Sequence, residues 1–327
     1  MNIEALARPD IVAMRPYSSA RKEAPGEGIL LNANEAPWSL LDGSEWEASL
    51  NRYPEPQPRA LVERLACLYG VSTEQLLVTR GSDEGIDLLT RVFCEAGRDA
   101  ILHSPPTFGM YKIAAQSQGA AIVAIPRNAD EGFRLPEQAL LDALQGDSRI
   151  KLVFLTSPNN PTGDVIGETY LERLLDQAHD RAVVVLDEAY AEFSSQPSAT
   201  ALLSRYANLV VLRTLSKAWA AAGLRCGVVL AQPELLGLLR RVIAPYPLPS
   251  PVTALALRVL QDDMLERQAR LLEELAANKQ VLLETLSRRP FIREVIAGRA
   301  NFVLIRADRA SDLLNYCAGR GLSLIHI

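Results

Sequence analysis

The stretch Ala182-Val183-Val184-Val185-Leu186-Asp187-Glu188-Ala189-Tyr190 runs from five apolar residues straight into two carboxylates. An unbroken apolar run lacks the polar alternation of a half-exposed strand. It predicts a strand buried on both faces, as in a parallel sheet covered by helices. A carboxylate at the end of such a strand is costly unless a cation meets it, so Asp187 asks for a cationic partner. A magnesium-binding strand end or a solvated one has the same outline. The magnesium version needs a Gly-rich loop closing in Gly-Lys-Ser/Thr, which the chain lacks.

Outward from this strand, short β-like runs alternate with helical patterns. The runs are Leu76 to Thr79, Ala100 to His103, Ala121 to Ile125, Leu152 to Leu155, Leu209 to Leu212 and Cys226 to Leu230. Between them lie amphipathic stretches such as Ile86, Leu89 and Phe93, or Leu171, Leu174 and Leu175. The alternation predicts an α/β fold with a mostly parallel sheet. Leu61, Leu65 and Leu68 share one face of an earlier helix that stops at Gly70. Residues 1 to about 40, punctuated by Pro9, Pro16, Pro25 and Pro37, read as an irregular arm whose one extended piece is Leu30 to Glu35. After the cluster Pro245-Tyr246-Pro247-Leu248-Pro249-Ser250-Pro251 the pattern becomes one long helix, Thr253 to Ser287. A strand from Asn301 to Arg306 and a short helix near Leu313 follow. The expected division is 1–50 as N-terminal arm and part of a small domain, 51–245 as a large domain, and 246–327 as an incomplete small C-terminal domain.

The 327 residues, 48% hydrophobic and 22% charged, suit a soluble globular protein with a large core. A net charge of −5 offers no electrostatic reason for nucleic acid or an anionic membrane as partner. No apolar run reaches the length that spans a bilayer, and no secretory pattern opens the chain, so a cytoplasmic location is expected. Cys67, Cys94, Cys226 and Cys317 lie far apart, as do His103, His179 and His326, which argues against a metal site.

Ligands of open α/β sheets bind at the carboxyl ends of the strands, and four more stretches stand there. Thr214-Leu215-Ser216-Lys217-Ala218-Trp219 puts a lysine at a strand-to-loop junction, where an amine can serve as nucleophile; a surface lysine is its plain reading. Thr79-Arg80-Gly81-Ser82-Asp83-Glu84 opens a helix whose amides favour a phosphate, unless Ser82 is merely its N-cap. Ser157-Pro158-Asn159-Asn160-Pro161-Thr162-Gly163 fixes a turn carrying an amide donor. Pro105-Pro106-Thr107-Phe108-Gly109-Met110-Tyr111 offers an aromatic face, or else core packing. Together they describe a flat heteroaromatic ligand with a phosphate, a ring nitrogen and an aldehyde, which is pyridoxal 5'-phosphate. Lys217 would bond its aldehyde and Asp187 would keep its ring nitrogen protonated. Tyr190, Asn160 and Phe108 would serve the phenolic oxygen and ring face. Ser82, Asp83, Thr214, Ser216 and Arg225 would hold the phosphate.

On Gly81, Asn160-Pro161-Thr162-Gly163, Asp187-Glu188-Ala189-Tyr190, Ser216-Lys217 and Arg225, the chain resembles the fold-type I aminotransferases. Through Arg80 to Glu84, Pro105 to Tyr111, Leu212 to Ala218 and Ile243 to Leu248 the resemblance narrows to the histidinol-phosphate aminotransferases. It implies a mostly parallel seven-stranded sheet in a three-layer α/β/α large domain, with a smaller α+β domain. It also implies amino-group exchange between L-histidinol phosphate and 2-oxoglutarate in L-histidine biosynthesis, by a homodimer with shared active sites. Tyr53 would reach the phosphate in the neighbouring subunit, and Tyr17 and Asn34 would lie near the substrate. The chain departs from the family in having Phe108 where tyrosine is common. It also departs in ending on Leu322 to Ile327, where the family continues with arginines for the substrate's anionic groups; the ending reads as truncated. An aromatic aminotransferase, a threonine-phosphate decarboxylase, or a cofactor-binding but catalytically impaired chain are the rival readings.

Overall fold

The computed structural model describes residues 1–17, 32–41 and 50–325. Its centre is a seven-stranded sheet in the order β1-β7-β6-β5-β4-β2-β3. These strands are β1 (Leu76–Thr79), β2 (Ala100–His103), β3 (Ala121–Ala124), β4 (Ile150–Thr156), β5 (Val183–Asp187), β6 (Leu209–Thr214) and β7 (Gly227–Ala231). Only β7 runs against its neighbours, pairing antiparallel with both β1 and β6. The seven apolar runs are these seven strands, with ends moved by a residue or two.

Why the runs lack alternation is visible in β5. Val184 and Leu186 are buried in one cluster and Val183 and Val185 in another, on opposite faces of the sheet. The first face carries α2 (Arg59–Tyr69), α5 (Glu137–Gly146) and α6 (Glu168–Ala178), through Leu61, Leu65, Leu140, Leu144, Leu171 and Leu174. The second carries α3 (Gly81–Phe93), α4 (Met110–Gln118) and α7 (Pro233–Leu239), through Ile86, Leu89, Tyr111 and Leu235. With both faces covered, the residues of the inner strands meet an apolar layer on either side, while β3 at the sheet edge stays partly exposed. The result is the expected three-layer α/β/α body.

Four sequence expectations need correction. The N-terminal residues are not an irregular arm throughout: a 3-10 turn over Ile3–Leu6 and α1 (Pro9–Ala13) bury Ile3, Leu6 and Ile11 in the second core layer. Of the extended piece from Leu30 to Glu35, Leu30 and Leu31 lie outside the described residues, as do Pro25 and the last two residues of the tail. Asn32 to Glu35 form no strand. The long helix is two: α8 (Ser250–Val259) and α9 (Asp262–Ser287), broken where Gln261 turns extended. Arg64 of α2 stabilises the break, donating to the Leu260 carbonyl at 2.7 Å and pairing with Asp262 at 2.6 Å. Finally, packing continues past the proline cluster, because Leu248, Ala256 and Leu260 are buried with the main core.

Beyond α9 an antiparallel pair, β8 (Ile292–Ile296) and β9 (Leu304–Ala307), leads into α10 (Ala310–Ala318). β8 has no counterpart among the expected runs, since Arg293 and Glu294 interrupt its apolar pattern. This smaller unit touches the large one beside the strand ends. Gly163 and Gly298 meet backbone to backbone, and the Arg299 amide donates to the Gly163 carbonyl at 2.5 Å. No helix among the described residues is long and apolar enough to cross a membrane.

Candidate active site

A cleft opens at the carboxyl ends of β4, β5 and β6, lined by Ser82, Asp83, Phe108, Thr156, Asp187, Ala189, Tyr190, Thr214, Ser216, Lys217 and Arg225. Every residue assigned to the cofactor from the sequence is in that set except Asn160 and Tyr53. Asn160 is one hydrogen bond away, its Nδ2 donating to Tyr190 Oη at 3.3 Å.

Asp187 closes the floor. It ends β5 on the face shared with Val183 and Val185, so its carboxylate points towards α3 and α4 rather than solvent, and it is only 2% exposed. Burial pushes its carboxyl up to about 6, while the hydrogen bonds from Tyr111 Oη at 2.8 Å and from the Ala189 amide at 3.0 Å pull it back down. Tyr111 is fully buried, its ring stacked on Phe154 at 4.8 Å, and burial followed by the nearby Asp187 charge pushes its hydroxyl well above the usual range. Phe108 meets the Tyr111 ring edge-on at 5.7 Å.

The opposite wall is cationic and hydroxyl-rich. Lys217 sits in the turn after β6, exposed on the open side, with Nζ 5.4 Å from the Tyr190 ring centre. It therefore lines the cleft mouth instead of being enclosed. Arg225 adopts a left-handed backbone (φ 50°), and its guanidinium reaches Asp83 at 3.0 Å and Ser216 Oγ at 3.4 Å. Thr214 Oγ1 takes the Ser216 amide at 3.1 Å and lies 3.0 Å from Ser216 Oγ.

The backbone of the β1–α3 turn completes that wall. Gly81 has φ 73°, and a Cβ there would lie 2.7 Å from Arg225 Nη2. Gly227 of β7 lies behind it, where a Cβ would come within 2.6 Å of the Ser82 nitrogen. Ser82 is not the helix cap: Arg80 holds that position, and the Arg80 amide donates to Glu84 at 2.7 Å. Ser82 lines the cleft in the first turn of α3. The Asp83 carboxylate holds Arg225 at 3.0 Å, so its side chain reaches the phosphate position only through that guanidinium.

Thr156, which lines the cleft, and Tyr111, buried beneath it against Asp187, were not singled out from the sequence. Thr156 is the last residue of β4, in register with Asp187, and its Oγ1 lies 2.7 Å from Tyr111 Oη. Tyr111 was quoted within its stretch without a role of its own. Position at a strand's carboxyl end was the available signal for Thr156; nothing local marks Tyr111.

Tyr53, Asn34 and Tyr17 are not brought to this cleft. Tyr53 stacks on Tyr246 at 4.6 Å and, with Asn34, lines a separate depression beside Pro249 and Ser250. Tyr17 is 66% exposed.

The comparisons with known proteins bear directly on this arrangement. The family model described as aminotransferase class I and II matches residues 35–318. The chain belongs to the class I and II aminotransferases. This aminotransferase is 43% identical to the histidinol-phosphate aminotransferase of Cronobacter sakazakii, over 99% of this chain and 88% of that one. It is 46% identical to the histidinol-phosphate aminotransferase of Aeromonas salmonicida, over 94% of this chain and 84% of the relative. In fold it superposes with TM-score 0.74 on the histidinol-phosphate aminotransferase of Sinorhizobium meliloti, solved in complex with pyridoxal-5'-phosphate. That match has 22% identity and covers 84% of this chain and 74% of the other.

Proposed function

We propose that the chain transfers an amino group between L-histidinol phosphate and 2-oxoglutarate with pyridoxal 5'-phosphate as cofactor. The observation that carries this reading is the convergence of an amine, a buried carboxylate and a guanidinium with five hydroxyls around one cleft. The high identity to named relatives over nearly the whole chain supports the substrate pair.

The donor set suits the cofactor. Arg225, Ser82, Thr214, Ser216 and the amides opening α3 would hold its phosphate; Asp83 acts by orienting Arg225. Phe108 would cover the ring, and Asn160 with Tyr190 would address its phenolic oxygen. Asp187 would hold a proton on the ring nitrogen, a charge that suits a carboxylate with no cation of its own among the cleft side chains. When bound, the cofactor supplies an aldehyde that accepts and returns the amino group and a ring that takes up the electron pair released at substrate Cα. Lys217, beside Tyr190 at the mouth, is the amine that would take the proton from substrate Cα and deliver it to the cofactor's aldehyde carbon, C4'.

Asn34, Tyr53 and Tyr17 fit a site shared between two copies. Tyr53 is 49% exposed, lies outside the Lys217 cleft and stacks on Tyr246. A homodimer working in the cytoplasm is the assembly this reading takes.

Replacing Lys217 by alanine should abolish transfer from L-histidinol phosphate to 2-oxoglutarate, measured by glutamate formation, while the fold persists. Transfer at an undiminished rate would refute the assignment. Carbon dioxide release from threonine phosphate, with no glutamate formed, would favour the decarboxylase instead.

A further inference from the structure

On the other side of the sheet from the cleft lies a buried ionic cluster that the reaction above does not use. Strand alternation puts it there: Asp187 and Thr214 face the cleft, so Glu188 and Arg213 face the opposite layer. Arg213 donates through Nη1 to Glu188 Oε2 at 2.9 Å and through Nη2 to Glu192 Oε1 at 2.8 Å. Its guanidinium lies 4.8 Å over the Tyr69 ring. Ser198 Oγ and the Ala199 amide, at 2.5 and 2.7 Å, satisfy the rest of Glu188. The three charged side chains are only 4 to 11% exposed. Burying two carboxylates on one guanidinium contributes little to stability compared with an apolar filling, so stability alone is a poor account of the cluster.

Its connectivity suggests another. Glu192 Oε1 accepts a second hydrogen bond, from Trp219 Nε1 at 3.1 Å. Arg213 and Trp219 stand on either side of Lys217 in the chain. Within that turn, the Ala220 amide bonds the Lys217 carbonyl and the Ala221 amide bonds the Leu215 carbonyl, both at 3.1 Å. Glu192 itself follows Tyr190, whose ring lies under Lys217 Nζ. One carboxylate oxygen therefore pins both limbs of the lysine turn to the segment that carries Asp187 and Tyr190.

We propose that Glu192 is a positioning residue for Lys217, holding the lysine turn in register with Asp187 and Tyr190. The inference rests on Lys217 being the acting amine. Lys217 is exposed, so its placement depends on its backbone rather than on packing around the side chain. A misplacement on the order of 1 Å costs about 100-fold in rate.

The test uses the full chain with and without pyridoxal 5'-phosphate. In Glu192→Ala without cofactor, the amides of Ser216 to Trp219 should exchange with deuterium at least ~10-fold faster while those of β5 and β6 stay protected. With cofactor, kcat should fall ~10–100-fold with little change in KM. Glu192→Gln keeps the acceptor oxygen and should recover most of both. Trp219→Phe, which frees one limb, should raise the same local exchange. Ser198→Ala loosens the far side of the cluster and should change neither readout. If Glu192→Ala does not fold, normal turn exchange together with normal kcat in Trp219→Phe overturns the proposal. Equal kcat loss in Ser198→Ala, or a Glu192→Ala loss without faster turn exchange, overturns it too. Retained transfer in Lys217→Ala would instead overturn the reading of Lys217.

Discussion

Replacing Asp187 by asparagine should make the cofactor-free chain more stable at neutral pH while removing most of its turnover. The carboxyl group is 2% exposed, and burial raises it from an ordinary 3.8 to about 6. A group raised in the folded state binds its proton more tightly there than in the unfolded chain. The stability it contributes is complete below the unfolded value and is lost as pH rises through about 6. At pH ~7.5 the carboxylate is charged in both states, and a shift of about two units costs the folded chain ~3 kcal/mol. At pH ~5 about half of that cost remains. Asparagine carries no charge and can fill the same contacts. Its oxygen can accept from the Ala189 amide and its NH2 can donate to Tyr111 Oη, which then turns its own proton to Thr156 Oγ1, 2.7 Å away. Urea unfolding without cofactor should therefore place Asp187→Asn ~2–3 kcal/mol above the original chain at pH ~7.5, with the gap roughly halved at pH ~5. Saturating pyridoxal 5'-phosphate should stabilise the original chain more than the variant, and kcat of the variant should fall ~100-fold or more. A cofactor-free variant less stable at pH ~7.5, or a gap indifferent to pH, would refute the reasoning.

Tyr111→Phe removes the hydroxyl that donates to Asp187, so in the cofactor-free chain the carboxyl should rise further, and the pH at which urea unfolding shows stability being lost should move up by about one unit. An unmoved pH dependence would count against Asp187 as the group titrating there. Gly227→Ala should cost ~2–3 kcal/mol and weaken cofactor binding, because its Cβ would press at 2.6 Å on the backbone of Gly81 and Ser82. Gly81→Ala should cost only about 1 kcal/mol for its φ of 73°, since the atom its Cβ meets is the movable end of Arg225. Denaturant unfolding and cofactor titration by absorbance check both, and the reverse order would refute the argument.

Much of this was legible in sequence because it depends on neighbours along the chain. Val183 to Asp187 announces a strand with a carboxylate at its end, and Ser216-Lys217 follows the next strand in the same way. Where a pattern is mixed, legibility fails: β8, carrying Arg293 and Glu294, has no clear period. The split between α8 and α9 is likewise hidden, because its stabilising partner is Arg64, far back in the chain.

The sequence by itself determined the seven buried strands, the layered α/β class and the residues at the strand ends, since apolar runs and turn residues act through local backbone preferences and burial. Only the tertiary structure decided how those residues act on each other. It assigned Tyr111 to Asp187, Asp83 to Arg225, and Glu192 to both limbs of the Lys217 turn. It also left Tyr53 outside the cleft, stacked on Tyr246. These pairings join residues distant in sequence, and their hydrogen bonds and charge contacts exist only once the sheet has set the strand ends side by side.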